Sequence, residues 1–225
     1  MSLILNIDTA SETAHVSIAR DGQLQHVLEN HEQKNHASFL EPAIKQLADK
    51  SNIKLSELDA IAVTEGPGSY TGLRIGMASA KGLCYALNKP LITISSLEAM
   101  TLTATSAVHE QITNPSTLFC PMIDARRAEV FTALYDISLK NILPPCAIIL
   151  TENSFENFFN DCSITFFGSG SEKWKLICSK KNAFFQQIGQ TFASFASLSY
   201  QKFKKSDFNN IAYSEPSYIK DFYIK

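Results

Sequence analysis

The pattern of apolar and polar positions at the start of the chain predicts three strands. Residues 3–7 form a continuous apolar run that is typical of a buried strand. Residues 13–19 alternate between polar and apolar side chains, and the tight-turn dipeptide Asp21-Gly22 separates them from a further extended segment over 23–28. We therefore predict that the chain opens with a three-stranded antiparallel meander.

Segments with helical periodicity then alternate with further apolar runs. Apolar side chains recur at helical spacing over 36–49 and 71–87, and a third helix is predicted over 96–107. The apolar runs over 58–64 and 91–94 lie between these helices and predict strands. This order of strands and helices predicts a mixed sheet flanked by helices, which is an α/β fold.

The polar stretch over 109–117 predicts a boundary between two lobes. It contains Asn114-Pro115, a dipeptide typical of loops. We therefore expect an N-terminal lobe over 1–107 and a C-terminal lobe over 108–225. Twelve of the fifteen phenylalanines fall in the last 75 residues, among many lysines. This composition suits either a solvated lysine face over an aromatic core or contact with RNA.

Composition and charge exclude several classes of protein. The formal net charge is −2 and apolar residues make up 45% of the chain, which excludes a disordered protein and a strongly basic nucleic-acid binder. Charged residues make up 19%, against about 25% in an average protein, and such a deficit is typical of a surface that a partner covers. Five cysteines without a C-x-x-C pair, no signal peptide and no long apolar run predict a cytoplasmic protein without a membrane segment.

A glycine-rich segment over 66–76 (GPGSYTGLRIG) joins the strand over 58–64 to the helix over 71–87. Such a loop can hold phosphate through free backbone N–H groups at the start of a helix. The segment lacks the Lys-Ser or Lys-Thr pair of a P-loop and the third glycine of a dinucleotide-binding loop. A tight turn into a helix, with Ser69 as its N-cap, is therefore the simpler interpretation.

The helix after this loop has a stripe of small residues. Gly72, Gly76 and Ala80 recur every four residues, and glycine within a helix costs about 1 kcal/mol relative to alanine. Nearly all other positions are apolar or small, so the helix is expected to be covered on more than one side. The stripe can meet another element of this chain or a helix of another subunit, and the sequence leaves both open.

Asp8, Thr9 and Ser11 follow the first strand, where they can either hold a Mg²⁺-phosphate group or cap the turn. The five histidines lack the i, i+4 spacing of a helical metal site, and the chain has no G-x-S-x-G motif. Neither a metal centre nor a Ser-His-Asp hydrolase site is therefore predicted.

Three segments resemble the TsaB family, also called YeaZ. They are Ile-Asp-Thr-Ala at 7–10, the glycine-rich segment at 66–76 and Asp-Ala-Arg-Arg-Ala-Glu-Val at 124–130. TsaB is the bacterial scaffold subunit for threonylcarbamoyladenosine synthesis in tRNA. The resemblance implies a two-lobed actin/hexokinase-like fold with a reduced second lobe. It also implies a non-catalytic subunit that holds the catalytic subunit TsaD in its active arrangement.

The resemblance further implies partners and the location of cofactors. It implies a heterodimer with TsaD, assembly with the ATPase TsaE, a homodimer when the chain is alone, and contact with tRNA only through the complex. ATP or ADP and a metal are expected on the partner subunits, and no cofactor is required by this chain. Ser96 and Met100 stand where TsaD carries two metal-binding histidines, and a hydroxyl and a thioether are poor substitutes for imidazoles.

Two sets of site residues follow from the resemblance. The predicted partner interface comprises His36, Phe39, Leu40, Ala43, Tyr70, Gly72, Leu73, Gly76, Ala80 and Leu83. The predicted vestigial nucleotide site comprises Asp8, Thr9, Ser11, Asp124 and Arg126. A bulky residue at Gly72 or Gly76 is expected to abolish TsaD binding while the monomer stays folded.

Two alternative functions stay open at this point. One is an ATP-binding enzyme of the actin/hexokinase-like class that acts on its own, with Asp8 and the hairpin at Asp124 on the phosphates. The other is a peptidase, which no set of nucleophile, base or metal-binding residues in the sequence supports.

Overall fold

The computed structural model describes residues 1–32, 35–108, 116–160 and 162–219. The chain divides into two compact units, and each is described here by itself. The first unit comprises Met1–Ser96 together with Thr191–Ser217, and the second is built mainly on Leu97–Gln190. The helices that the structure describes are α1 (His36–Lys50), α2 (Tyr70–Leu87), α3 (Ser96–Val108), α4 (Ser171–Lys175) and α5 (Phe192–Lys204).

The described part of the first unit contains a mixed sheet of five strands. They are β1 (Leu3–Asp8), β2 (Ala14–Arg20), β3 (Gln23–Asn30), β4 (Ala60–Gly66) and β5 (Leu91–Ser95), in the order β3-β2-β1-β4-β5. β1, β2 and β3 pair antiparallel, whereas β4 and β5 continue the sheet in parallel with β1. The predicted meander and the two predicted strands after it are confirmed.

Helices cover both faces of this first sheet. Side chains alternate between the faces along each strand, and Leu5, Ile7 and Val63 point to the face on which α1 and α2 pack. The opposite face carries His15, whose ring lies against Phe192 of α5. Because both faces are covered, the central strands are almost wholly buried, which explains why residues 3–7 are apolar apart from Asn6.

The second unit contains a second mixed sheet of five strands among the residues that the structure describes. They are β6 (Thr117–Asp124), β7 (Glu129–Tyr135), β8 (Asn141–Ile149), β9 (Ser163–Phe167) and β10 (Ala183–Phe185), in the order β10-β9-β6-β7-β8. Its core is aromatic, and Trp174 of α4 meets Phe155 and Phe166 edge-on. The two sheets with their helices confirm the predicted α/β fold.

The division into units differs from the predicted lobes over 1–107 and 108–225. Residues 191–217 belong to the first unit, because α5 and the segment after it pack on the first sheet. Asn209, for example, forms a bridge to Leu91 at the start of β5. At the other end, α3 belongs almost wholly to the second unit, which begins at Leu97. Most of the predicted boundary over 109–117 lies outside the described residues.

None of the helices in the described ranges is both long and apolar enough to cross a membrane.

Candidate functional site

The glycine-rich loop before α2 is tied to its own chain. Ser69 caps the helix, because its Oγ accepts a hydrogen bond from the Gly72 N–H at 3.3 Å, as predicted. The Ser69 N–H donates to the carbonyl of Ala10 at 2.7 Å, and the Leu73 N–H donates to the carbonyl of Ser69 at 2.8 Å. These amides are therefore engaged within the chain rather than free to hold phosphate, which supports the interpretation of the loop as a tight turn into a helix.

The small-residue stripe of α2 faces the loop that follows β1. A methyl group on Gly72 would collide with the carbonyl oxygen of Thr9, and one on Gly76 would collide with the Thr9 hydroxyl. That hydroxyl is buried and donates to the Gly72 carbonyl at 2.7 Å. The glycines are needed because the Thr9 loop approaches the helix backbone this closely.

This packing places a large part of the predicted partner interface in the interior of the first unit. Seven of its ten residues are buried within the chain: His36, Leu40, Ala43, Gly72, Leu73, Gly76 and Ala80. They pack against β1, β4 and the neighbouring helix inside the first unit. A bulky residue at Gly72 or Gly76 would collide with Thr9, so we expect such a variant to destabilise the first unit as well as any interface.

His36 has a structural role at the start of α1. Its Nε2 lies 3.0 Å from the carbonyl oxygen of Ser11, and its Nδ1 lies 3.4 Å from the side-chain nitrogen of Asn30. A hydrogen bond from Nε2–H to Ser11 anchors the helix to the loop between β1 and β2. His36 therefore positions α1 and does not itself form a contact surface.

The outward side of the two helices carries a different set of residues. Ala78, Gly82 and Ala86 form a second stripe of small residues on α2, and all three are exposed. A Cβ at Gly82 would meet no heavy atom within 4 Å. We call the surface formed by Phe39, Tyr70, Ala78, Gly82, Leu83, Tyr85 and Ala86 the α1–α2 face.

Aromatic side chains border this second stripe. Tyr85 is 84% exposed and Tyr70 is 42% exposed, while Phe39 and Leu83 are half-buried. The Arg74 guanidinium donates to the Tyr70 hydroxyl at 2.5 Å and lies 5.2 Å from the centre of its ring. Ser79 of α2 donates to Glu41 of α1 at 2.6 Å, which links the two helices at this surface. Of the predicted interface, Tyr70, Phe39 and Leu83 thus lie on the α1–α2 face.

Sequence reasoning missed the stripe at Ala78, Gly82 and Ala86. Its spacing of four residues is the same as that of the stripe at Gly72, Gly76 and Ala80, so the signal was present. Periodicity alone does not say which of the two stripes points inward.

The polar residues after β1 close the turn to β2. The Ala10 N–H donates to Asp8 Oδ1 at 2.9 Å, and the Ser11 hydroxyl donates to the Thr13 carbonyl at 2.8 Å. With the Thr9 hydroxyl bound to Gly72, all three residues of this half of the predicted vestigial nucleotide site make hydrogen bonds within the chain. The other half, Asp124 and Arg126, belongs to the second unit.

Asp124 and Arg126 lie in the turn between β6 and β7. Asp124 Oδ1 accepts hydrogen bonds from the Arg126 N–H and from Lys173 Nζ, both at 2.6 Å. Partial burial acts to raise the pKa of Asp124, but the hydrogen bonds from Lys173 and Arg126 outweigh it and hold that pKa below its usual range. The carboxylate is therefore ionised and serves to hold the turn, with Arg126 and Arg127 exposed at positive φ.

The two residues at the predicted metal-motif positions lie in α3. Ser96 is buried, and its Oγ has no hydrogen-bond partner among the described residues. Met100 packs in the second unit against Leu97 and Ala133. Among the described residues, no group of three or more His, Cys, Asp or Glu side chains is placed to hold a metal ion.

The two mixed sheets with their helices define an α/β protein built on two such sheets. A crystal structure from Pseudomonas aeruginosa, described as an uncharacterized protein with similarity to peptidase YeaZ, matches with a TM-score of 0.81 and 23% identity over 98% of this chain and 100% of that chain. An inorganic polyphosphate/ATP-glucomannokinase from an Arthrobacter strain matches with a TM-score of 0.50 and 9% identity over 89% of this chain and 99% of that chain. At these identities the likeness concerns the fold alone.

Sequence similarity identifies the family. The family TsaD, tRNA N6-adenosine threonylcarbamoyltransferase, matches residues 24–221, so the chain belongs to this family. The tRNA threonylcarbamoyladenosine biosynthesis protein TsaB of Bacillus subtilis is 34% identical over 152 residues, which make up 66% of this chain and 63% of that protein. The match thus spans less than two thirds of this relative's length. The predicted resemblance to TsaB (YeaZ), as a relative of TsaD, is confirmed.

Proposed function

We propose that this chain is a non-catalytic subunit in tRNA threonylcarbamoyladenosine biosynthesis, and that it binds TsaD through the α1–α2 face. One observation carries the proposal: the outward side of α2 exposes a stripe of small residues beside large aromatic side chains. The name of its TsaB relative supplies the pathway. Because the chain belongs to the TsaD family, the partner that we propose is a paralogue of this chain.

The α1–α2 face suits the docking of another helix. Ala78, Gly82 and Ala86 carry no side chain beyond Cβ, so a second helix can approach the backbone of α2 closely along this line. Tyr85 stands beside the stripe and is almost fully exposed, and large aromatic side chains of this kind are frequent anchors of protein interfaces. The face thus offers both a groove and an anchor.

A paralogue would present a helix pair equivalent to α1 and α2. Two such pairs can meet like face to like face around a two-fold or pseudo-two-fold axis. The same geometry allows a second copy of this chain to occupy the face when TsaD is absent. We therefore propose a heterodimer with TsaD in the complex and a homodimer of the isolated chain.

The engaged polar groups support a non-catalytic role. Asp8, Thr9 and Ser11 are used to close a turn, and Asp124 is held by Lys173. We propose that nucleotide, metal and the transfer chemistry belong to TsaD and the ATPase TsaE, and that this chain needs no cofactor of its own. Contact with tRNA then occurs through the assembled complex.

Substitution of Gly82 by tryptophan tests the docking face. A side chain at this position has open space around it, so Gly82→Trp is expected to leave the first unit folded while it fills the groove. We expect the affinity for purified TsaD to fall by at least about tenfold, in line with the loss of an interface hot spot. The measurement is co-purification followed by a titration of binding.

Gly189→Trp is the matched control, because a Cβ at Gly189 also meets no heavy atom within 4 Å and this residue lies in the second unit. It should bind TsaD like the unchanged chain. Undiminished binding by Gly82→Trp would show that the α1–α2 face is not the docking surface. The subunit role itself is tested by tRNA modification with TsaD and TsaE, which should require this chain.

A further inference from the structure

Buried polar side chains without hydrogen-bond partners cluster on one face of the first sheet. Asn6 of β1 is paired with Ser17 of β2, and neither the Asn6 amide nor the Ser17 hydroxyl has a hydrogen-bond partner among the described residues. His15 lies two residues from Ser17 on the same face, and its Nε2 is likewise unpartnered. Asn6 and Ser17 are 0% exposed, and His15 is 2% exposed. We call Asn6, His15 and Ser17 the polar patch.

The last helix of the first unit covers this patch. α5 packs against β1, β2, β3 and β5. The centre of the Phe192 ring lies 4.4 Å from that of His15, and the Phe195 ring meets His15 edge-on at 5.9 Å. On the opposite face α1 and α2 pack against an apolar cluster that includes Leu5 and Ile7. α5 therefore packs over buried polar side chains, whereas α1 and α2 pack over an apolar cluster.

A helix over unpartnered polar groups is held less strongly than a helix over an apolar cluster. When α5 lifts, water can bond to Asn6, His15 and Ser17, so opening recovers free energy that their burial had cost. Other contacts of α5 favour the closed form: Phe195 is fully buried, and Lys202 Nζ donates to the Thr93 carbonyl at 2.8 Å. The open form is therefore a minority in a folded protein.

We infer that α5 is a releasable cover, which lifts from the otherwise folded first unit, exposes the polar patch, and does so more often when His15 is protonated. The inference is independent of the proposed function, since it concerns the sheet face opposite α1 and α2.

The surroundings of His15 give the direction of the proton effect. Asp8 of β1 places Oδ2 3.9 Å from His15 Nδ1, and Glu29 of β3 is paired with His15 in the sheet. Both carboxylates favour the charged ring, whereas α5 presents the rings of Phe192 and Phe195. Burial outweighs the carboxylates and lowers the pKa of His15. The covered ring is therefore neutral, and a proton binds more readily once α5 has lifted.

Amide hydrogen exchange on the full chain measures the opening. We expect the amides of α5 to exchange through a more frequent opening than those of α1 at neutral pH. After correction for intrinsic exchange rates, protection of α5 should fall by up to about tenfold per pH unit below about pH 6.5, and protection of α1 should fall by no more than this, because global unfolding also exposes His15.

Two variants separate the polar patch from general destabilisation. His15→Gln removes the titrating ring, so the part of the loss of α5 protection at low pH that comes from His15 should disappear, whereas His26→Gln on the exposed side of β3 should retain it. Asn6→Val combined with Ser17→Ala makes the covered face apolar, and it should raise the protection of α5 relative to α1.

Two results would overturn the inference. One is exchange of α5 that is no faster than that of α1, and the other is an unchanged pH dependence in His15→Gln. If the double variant fails to fold, the comparison of α5 with α1 and the two histidine variants still decide the question.

Discussion

At the scale of single residues, Thr9 joins α2 to the loop after β1. The Thr9 hydroxyl is bound to the Gly72 carbonyl, and the Thr9 backbone lies where a side chain on Gly72 would stand. These glycines therefore serve the packing of this chain. Gly82 lies in the same helix but faces open space, so substitutions at Gly82 are the reference for those at Gly72 and Gly76.

We expect Gly72→Ala and Gly76→Ala each to lower the free energy of unfolding by about 1–3 kcal/mol, because the added methyl group overpacks the contact with Thr9. Gly82→Ala should raise it by about 0.5–1 kcal/mol, because alanine is the better helix former. Urea titration of the three variants measures both the expected decrease and the expected increase in the free energy of unfolding. Equal stability of all three would show that the Thr9 loop can move aside without cost.

His15 should make stability dependent on pH. Burial lowers its pKa in the folded state despite the opposing effects of Asp8 and Glu29, whereas the unfolded chain titrates near 6.5. The unfolded chain then binds the proton more readily, so the free energy of unfolding falls as the pH falls below about 6.5, by at most about 1.4 kcal/mol per pH unit. Urea titrations should show that the free energy of unfolding falls more steeply with falling pH in the unchanged chain than in His15→Gln below about pH 6.5. Above this value the two proteins should show the same pH dependence. Parallel curves throughout would contradict the assignment.

At the scale of elements, α2 is a helix with two stripes of small residues. One stripe meets β1 and the Thr9 loop, and the other is exposed between Tyr85 and α1. The glycine content of α2 is thus explained in part by the fold and in part by the proposed docking face. The sequence pattern shows both stripes, but only the position of β1 distinguishes them.

The segment after α5 protects the edge of the first sheet. The Asn209 N–H donates to the Leu91 carbonyl at 2.8 Å, and the Asn209 side-chain oxygen accepts from the Thr93 N–H at 2.9 Å. Lys81 of α2 donates to the Ser214 carbonyl at 2.9 Å, and the Ser217 N–H donates to the Glu65 backbone carbonyl at 2.7 Å. The edge strand β5 is thereby covered by its own chain, which reduces pairing with other proteins.

We expect Asn209→Ala to lower the free energy of unfolding by about 1–3 kcal/mol, because the Thr93 N–H loses its acceptor. Asn209→Asp keeps an acceptor oxygen at this position and should cost less. Thermal or urea unfolding of the two variants is the measurement. A loss as large in Asn209→Asp as in Asn209→Ala would mean that the contact to Thr93 does not carry the effect.

At the scale of the whole molecule, the chain returns to its first unit after building the second. Residues 191–217 complete the first unit, so both faces of its sheet are covered by helices that lie far apart in sequence. A division of the chain at one point cannot describe this arrangement. The phenylalanines of the last third are accordingly shared, with Phe155 and Phe166 in the core of the second unit and Phe195 in the first.

The sequence alone determined the strands and helices of the first hundred residues, the α/β class, the N-cap at Ser69 and the family. These features rest on local patterns: apolar periodicity, turn dipeptides and contiguous motifs, which involve residues close together along the chain. Ser69, for instance, caps a helix that begins at the very next residue.

Only the tertiary structure decided which residues of α2 are covered, where α5 packs and what surrounds His15. Each of these depends on a contact between distant segments, such as Thr9 with Gly72 or His15 with Phe192. A period of 3.6 residues shows that a stripe exists but not which side of the helix the sheet occupies. The predicted interface therefore consists, for the most part, of residues on the inward side of α1 and α2.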